Sequence, residues 1–93
     1  MALTILEKNG TYEVEGRLNV NTAKNFQSHC EALLNSFGEL TINIEKTSQI
    51  DVDGMKAIGA LFTHAITNQR SFYVVGYGCK DIYDELKPTI LAA

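Results

Sequence analysis

The spacing of the apolar residues changes period repeatedly along this chain, and this restricts the fold to a mixture of strands and helices. Between Tyr12 and Leu18, apolar residues and Gly16 alternate with polar ones, the period of two that a strand with one buried face shows. From Ala23 to Phe37 the apolar residues recur at helical spacing instead. A strand followed directly by an amphipathic helix is therefore the first predicted unit.

The rest of the chain continues this alternation. Leu3–Leu6 is predicted as a strand, joined to the next by Asn9-Gly10, the dipeptide that favours a type I′ hairpin turn. Asn21 is the predicted N-cap of the first helix and Gly38 its predicted end. The later predicted elements are a strand at Leu40–Ile44, a polar loop at Lys46–Gln49, a helix from Met55 to about Asn68, a strand at Phe72–Val75 and a helix at Lys80–Leu86 that ends before Pro88.

The predicted order is thus β-β-α-β-α-β-α in a single domain, since 93 residues support no more than one. The two βαβ crossovers should be right-handed, which places both helices on the same side of the sheet. The alternation in two strands indicates that the other face meets water or a partner. We expect an α/β fold with a mixed four-stranded β-sheet and its helices packed on one face.

Charge and composition exclude several classes of function. Eight Lys and Arg stand against eleven Asp and Glu, and no stretch clusters the basic residues, so no nucleic-acid partner is expected. No apolar run is long enough for membrane insertion, and no signal peptide is recognisable. Two cysteines are too few for a disulfide scaffold, which favours a cytoplasmic protein.

The residues that bind metals or act as nucleophiles do not form a known motif. The candidate zinc ligands lack the paired spacing that zinc sites use. They are His29, Cys30, His64 and Cys79. No Gly-x-Ser-x-Gly or similar nucleophile turn is present. We therefore expect no metal, no cofactor and no Ser-His-Asp chemistry.

The segment Asp51-Val52-Asp53-Gly54 carries the most chemical content. Its simplest interpretation is structural: Asp53 caps the second helix, Asp51 adds favourable negative charge and Gly54 relaxes the turn. An alternative from a different class is a phosphatase-like enzyme, because Asp-x-Asp-Gly resembles the nucleophile loop of haloacid-dehalogenase-type phosphatases. In that family a long apolar strand precedes the first Asp, whereas only Ile50 does so here. A calcium loop counted from Asp51 fails at its fifth and twelfth positions.

A third interpretation comes from the whole chain, which resembles the STAS domain from about Tyr12 to Leu86. The resemblance is carried by Val14-Glu15-Gly16-Arg17-Leu18-Asn19 with Thr22-Ala23, by Leu40-Thr41-Ile42-Asn43-Ile44, by Ile50-Asp51-Val52-Asp53-Gly54-Met55 and by Tyr73-Val74-Val75-Gly76. This is the fold of anti-sigma-factor antagonists and of the cytosolic ends of sulphate transporters. The resemblance implies a protein-interaction module that is not an enzyme.

In the antagonists, a Ser after the Asp of this loop is phosphorylated by a GHKL-type kinase, and the added charge releases the partner. In this chain Val52 replaces the first hydroxyl of the usual pattern and Asp53 the second. We therefore predict that the phosphorylation site is lost here, with Asp53 holding part of the negative charge permanently. Ser48, nearby, is interpreted as a turn former rather than as a substitute acceptor.

The resemblance also implies a partner surface. It comprises Arg17, Asn19, Asp51, Val52, Asp53, Gly54 and Met55. The partner implied is an anti-sigma factor or a GHKL-type kinase. The alternative is that this chain is a stand-alone STAS subunit of a membrane transporter of the lipid-trafficking ABC type, docking on its ATPase or permease subunit. The sequence leaves open whether the polar face of the sheet is solvent-facing or the surface of a homodimer.

Overall fold

The computed structural model describes residues 3–76, which form an α/β fold with a mixed five-stranded sheet and two helices. The elements are β1 (Thr4–Lys8), β2 (Thr11–Leu18), α1 (Ala23–Phe37), β3 (Glu39–Asn43), β4 (Thr47–Ile50), α2 (Val52–Thr67) and β5 (Ser71–Val75). Every element predicted within this range is present. The helix predicted at Lys80–Leu86 lies outside the described residues.

The hairpin that opens the chain follows from its turn residues. Asn9 has φ 53° and Gly10 has φ 86°, the positive values that a type I′ turn needs at both central positions. Lys8 lies opposite Thr11, so the turn contains two residues, as predicted.

The sheet contains one strand more than the sequence predicts. Its order is β1-β2-β3-β5, with β1 antiparallel to β2 and the other pairs parallel. Lys46–Gln49 was predicted as a loop, and this is wrong: Thr47 begins β4, which pairs in parallel with the end of β2. The buried Thr47 hydroxyl donates a hydrogen bond to the Val14 carbonyl at 2.7 Å. A strand made mostly of polar residues, such as Thr47 with its hydroxyl bonded inside the sheet, has the hydropathy pattern of a loop, which is why the sequence predicted one.

β2 changes neighbours along its length, and this places β4. Residues 11–13 of β2 pair with β3, whereas Gly16 to Leu18 pair with β4. The register shifts between Gly16 and Arg17, and Gly16 has φ 112°, a value that glycine adopts readily. The carboxyl ends of β2 and β4 therefore lie side by side.

The core lies between the sheet and the two helices, which also contact each other. The strands contribute Val14, Leu18, Leu40, Ile42, Ile50 and Phe72, and the helices contribute Ala23, Phe26, Cys30, Leu34, Met55, Ala57, Ile58, Leu61 and Ala65. Phe62 packs edge-on against Phe72, with ring centroids 4.7 Å apart. Ile66, at the apolar end of the predicted second helix, is 77% exposed in the last turn of α2. Within the described chain, neither helix is long and apolar enough to cross a membrane.

The start of α1 differs from the prediction by one residue. The N-cap is Thr22 rather than Asn21, and its hydroxyl makes no capping bond. The hydroxyl instead accepts from the Asn19 N–H at 3.0 Å and donates to the Arg17 carbonyl at 2.7 Å. The helix ends as predicted at Gly38, whose N–H donates to the Leu34 carbonyl at 2.9 Å.

Cys30 gives the core a dependence on alkaline pH. Its side chain is fully buried on α1, and burial raises the pKa of the thiol from 9.0 to about 12. The unfolded thiol ionises at the lower value, so the corresponding stability is complete below pH 9.0 and is lost as the pH rises toward about 12. As the pH rises from 9.0 to about 12, we expect the free energy of unfolding to fall less in Cys30→Ala than in the native chain. Urea unfolding at neutral pH and within the window, both in a Cys79→Ser background, measures this, and equal losses would contradict it.

Candidate functional site

The loops that follow β2 and β4 meet at one edge of the sheet. Leu18 and Ile50 lie opposite each other at the ends of these parallel strands. The chain leaves β2 through Asn19 toward α1, and it leaves β4 through Asp51 directly into α2. The two segments that the sequence singled out as a partner surface are therefore neighbours in space.

Asp51 joins the two segments through its backbone and both of its carboxylate oxygens. Its N–H donates to the Leu18 carbonyl at 3.1 Å. Its Oδ1 accepts the Gly54 N–H at 2.9 Å, and its Oδ2 accepts the Val20 N–H at 3.2 Å. One carboxylate thus caps α2 and holds the β2–α1 loop against the helix start.

This geometry corrects the predicted roles of the two aspartates. Asp51 is the N-cap, with φ −99° and ψ −173°, and α2 begins at Val52, three residues before the predicted Met55. Asp53, predicted as the cap, is an exposed residue in the first turn. There its charge interacts favourably with the helix dipole without making the capping bond.

Gly54 is buried where α2 passes over the end of β2. A Cβ at this position would collide with the Leu18 carbonyl oxygen and would lie 3.0 Å from the Leu18 Cγ. Gly54 lies inside the first helical turn and does not have a positive φ. The predicted reason for this glycine, relaxation of a turn, is therefore wrong: the residue is needed for close approach of the helix to the strand.

Met55 is also placed differently from the prediction. Its side chain is 0% exposed and belongs to the core. Since α2 begins earlier than expected, the helical repeat turns Met55 toward the sheet rather than toward a partner.

The exposed part of the site comprises Val20, Val52 and Asp53, which we call the Val20–Asp53 surface. Val20 is 63% and Val52 50% exposed. Asp51 holds the backbone N–H of Val20, and Val52 follows Asp51 directly in the chain. The sequence interpretation missed Val20. The sequence feature that could have indicated it is a single apolar residue between two polar ones, Asn19 and Asn21, in a segment predicted to be a loop.

The other two residues of the predicted surface have different surroundings. Arg17 is exposed and alternates with the buried Leu18, so its side chain leaves β2 on the face away from the helices. The Asn19 Oδ1 accepts the Asn21 N–H at 2.9 Å, which shapes the loop that carries Val20.

The remaining candidate residues are dispersed. Ser48, expected to form a turn, lies within β4 and donates its hydroxyl to the Gly16 carbonyl at 3.1 Å. His64 Nε2 lies 2.9 Å from the Asn35 Oδ1, between the two helices. Within residues 3–76, no group of three or more His, Cys, Asp or Glu side chains is placed to hold a metal ion. Cys79 lies outside the described residues.

Comparison with models of known protein families and with curated protein sequences finds no match for this chain. The class that its geometry defines is a small α/β domain with a mixed sheet and an exposed, hydrogen-bonded loop pair at one sheet edge.

Proposed function

We propose that this chain is a non-catalytic, cytoplasmic protein-binding module of the STAS type that engages its partner through the Val20–Asp53 surface. The strand and helix order of the described residues supports the proposal in part: apart from the additional strand β4, the elements follow the order that the resemblance implies. The position of the Asp51 loop at the carboxyl edge of the sheet supports it as well.

The bridge made by Asp51 is the observation that carries the proposal. The exposed Val20 and Val52 belong to two different segments, which are joined by the hydrogen bond from the Val20 N–H to Asp51, 31 residues later in the chain. The carboxylate holds both segments in one arrangement before any partner arrives. Ordering a loop on binding costs free energy, so a surface that is already ordered binds more tightly for the same contacts.

The bonds at Asp51 also favour binding over catalysis. Both of its carboxylate oxygens accept backbone N–H groups, which is how a capping residue is used. Asp53, the only other carboxylate of this segment, is exposed to solvent. A phosphatase-like role would leave this paired use of Asp51 unexplained.

The partner that fits this surface is an anti-sigma factor or a GHKL-type kinase, whose contact region would cover the valines and pair a basic side chain with Asp53. Covering a valine stabilises a complex by up to about 1.5–3 kcal/mol. Val52 offers no hydroxyl at the position where the anti-sigma-factor antagonists carry the acceptor. Binding at this surface should therefore not be switched by phosphorylation of the loop.

Charge reversal at the surface tests the proposal. We expect Asp53→Lys and Val52→Asp each to weaken binding of the cognate kinase about tenfold or more, since each introduces an unpaired charge where the complex is desolvated. Isothermal titration calorimetry with the purified kinase measures the affinity. Prior incubation with the kinase and ATP is expected to leave it unchanged.

Glu39→Lys is the matched control for Asp53→Lys, because it makes the same charge change at the start of β3, at the opposite edge of the sheet. It should retain native affinity, and circular dichroism should show all three variants folded. If Asp53→Lys and Val52→Asp each bound the kinase with native affinity, the proposed surface would be wrong.

A further inference from the structure

The β1–β2 turn places a reactive pair of residues in solvent. Asn9 and Gly10 are both exposed, and they are the two central residues of the turn. Asparagine is among the residues that are chemically least durable in proteins. A following glycine has no side chain to shield its backbone nitrogen, which can therefore approach the Asn side-chain amide carbon.

We propose that Asn9 is a site of spontaneous conversion to aspartate and isoaspartate, restrained by a hydrogen bond from the Gly10 N–H to the Glu7 carboxylate. In the reaction the Gly10 nitrogen gives up its proton to solvent base and attacks the Asn9 Cγ. A new N–C bond closes a five-membered succinimide, and the side-chain nitrogen leaves with a proton from water as ammonia. Water then opens the ring at either carbonyl.

The geometry of the turn explains the restraint. A type I′ turn and a type II′ turn share φ of about +60° at the first central residue and differ in the orientation of the peptide that follows. Asn9 already has φ 53°, so a flip of the Asn9–Gly10 peptide alone changes one turn into the other. The flip takes ψ of Asn9 toward about −120°, which swings the Gly10 nitrogen toward the Asn9 side chain.

The Glu7 carboxylate opposes that flip. Its Oε2 accepts the Gly10 N–H at 2.7 Å, a short bond to a charged acceptor. Flipping the peptide turns this N–H away and breaks the bond. Glu7 is therefore a positioning residue that keeps the attacking nitrogen directed away from Asn9.

The products change the hairpin locally. Either product carries a negative charge at residue 9 in addition to that of Glu7. Isoaspartate also inserts a methylene group into the main chain between Lys8 and Thr11, which lie opposite each other in the unmodified hairpin. The two-residue turn no longer fits that register.

Ageing of the full chain tests the proposal. Native protein, Glu7→Ala, Glu7→Gln and Asn9→Gly are incubated at mildly alkaline pH. Peptide mass spectrometry then follows the exchange of the amide nitrogen for oxygen at residue 9, and isoaspartyl methyltransferase labelling follows isoaspartate. We expect Glu7→Ala to react about three to ten times faster than the native chain, the factor that corresponds to one hydrogen bond weakened by solvent exposure.

The other variants separate the possible roles of Glu7. Glu7→Gln keeps a carbonyl acceptor, so a restraining role predicts a rate close to the native one. If Glu7 instead acted as a general base, both Glu7→Ala and Glu7→Gln would remove the base, and both would react more slowly than the native chain. Asn9→Gly keeps the turn and should show no reaction at this position. Glu15→Ala removes a carboxylate elsewhere in the same hairpin and should leave the native rate. A Glu7→Ala rate equal to or below the native rate would overturn the restraint, and native chains unmodified at Asn9 would overturn the site.

Discussion

Gly54→Val is expected to lower the free energy of unfolding by about 3 kcal/mol or more, a large part of the 5–15 kcal/mol typical of a native domain. Any Cβ at this position would enter the space of the Leu18 carbonyl oxygen, and the atom it meets is backbone rather than a flexible side-chain end. The helix start must move away from β2, which also pulls the Gly54 N–H from the Asp51 Oδ1. Urea unfolding followed by circular dichroism measures the loss.

Gly54→Ala separates close packing from helix propensity. In an exposed helix, alanine is favoured over glycine by about 1 kcal/mol, so propensity alone would make the variant more stable than the native chain. We expect it to be less stable. Lys56→Ala, an exposed change two residues further along α2, serves as the control and should stay close to native stability. A Gly54→Ala variant as stable as that control would show that the approach to Leu18 is not tight.

Asp51→Ala is expected to cost about 2–3 kcal/mol. Loss of a helix cap accounts for about 1 kcal/mol, and the bond from Val20 N–H to a charged acceptor accounts for most of the remainder. The variant should also bind the kinase more weakly than its stability loss explains, because the β2–α1 loop is no longer held against α2. Thermal unfolding and calorimetric titration of the same samples measure both effects.

Asp53→Ala is the matched control for Asp51→Ala, since it removes the same side chain from the same helical turn without removing a capping bond. It should cost only the dipole interaction, a few tenths of a kcal/mol. Asp51→Asn keeps one carbonyl acceptor and should fall between the two. Equal stability of Asp51→Ala and Asp53→Ala would contradict the assignment of Asp51 as the cap and the bridge.

Local patterns in the sequence were sufficient for most of the fold. The Asn9-Gly10 turn is present because only two residues connect β1 to β2 and both tolerate positive φ. The apolar residues at helical spacing from Ala23 to Phe37 span α1, although its N-cap lies one residue later than predicted. These predictions succeeded because turn chemistry and hydrophobic periodicity act between residues that are close in the chain.

β4 escaped prediction for the opposite reason. Thr47 is as buried as the apolar core, and a hydrogen bond to Val14, 33 positions earlier in the chain, satisfies its hydroxyl. No property of residues 46–49 taken alone distinguishes such a strand from a surface loop. Its presence depends on β2 leaving part of one edge unpaired beyond β3.

The sequence by itself located the candidate site, since Asp51 to Gly54 stand out as two carboxylates and a glycine at the start of an apolar helical pattern. Only the tertiary structure decided what each residue does there. It made Asp51 the cap and the bridge, buried Met55 and Gly54, and left Val20 and Val52 exposed on the two segments that Asp51 joins. The reason is that these roles depend on contacts between segments that are distant in the sequence. The β2–α1 loop meets the start of α2 only when β2 and β4 have paired in parallel.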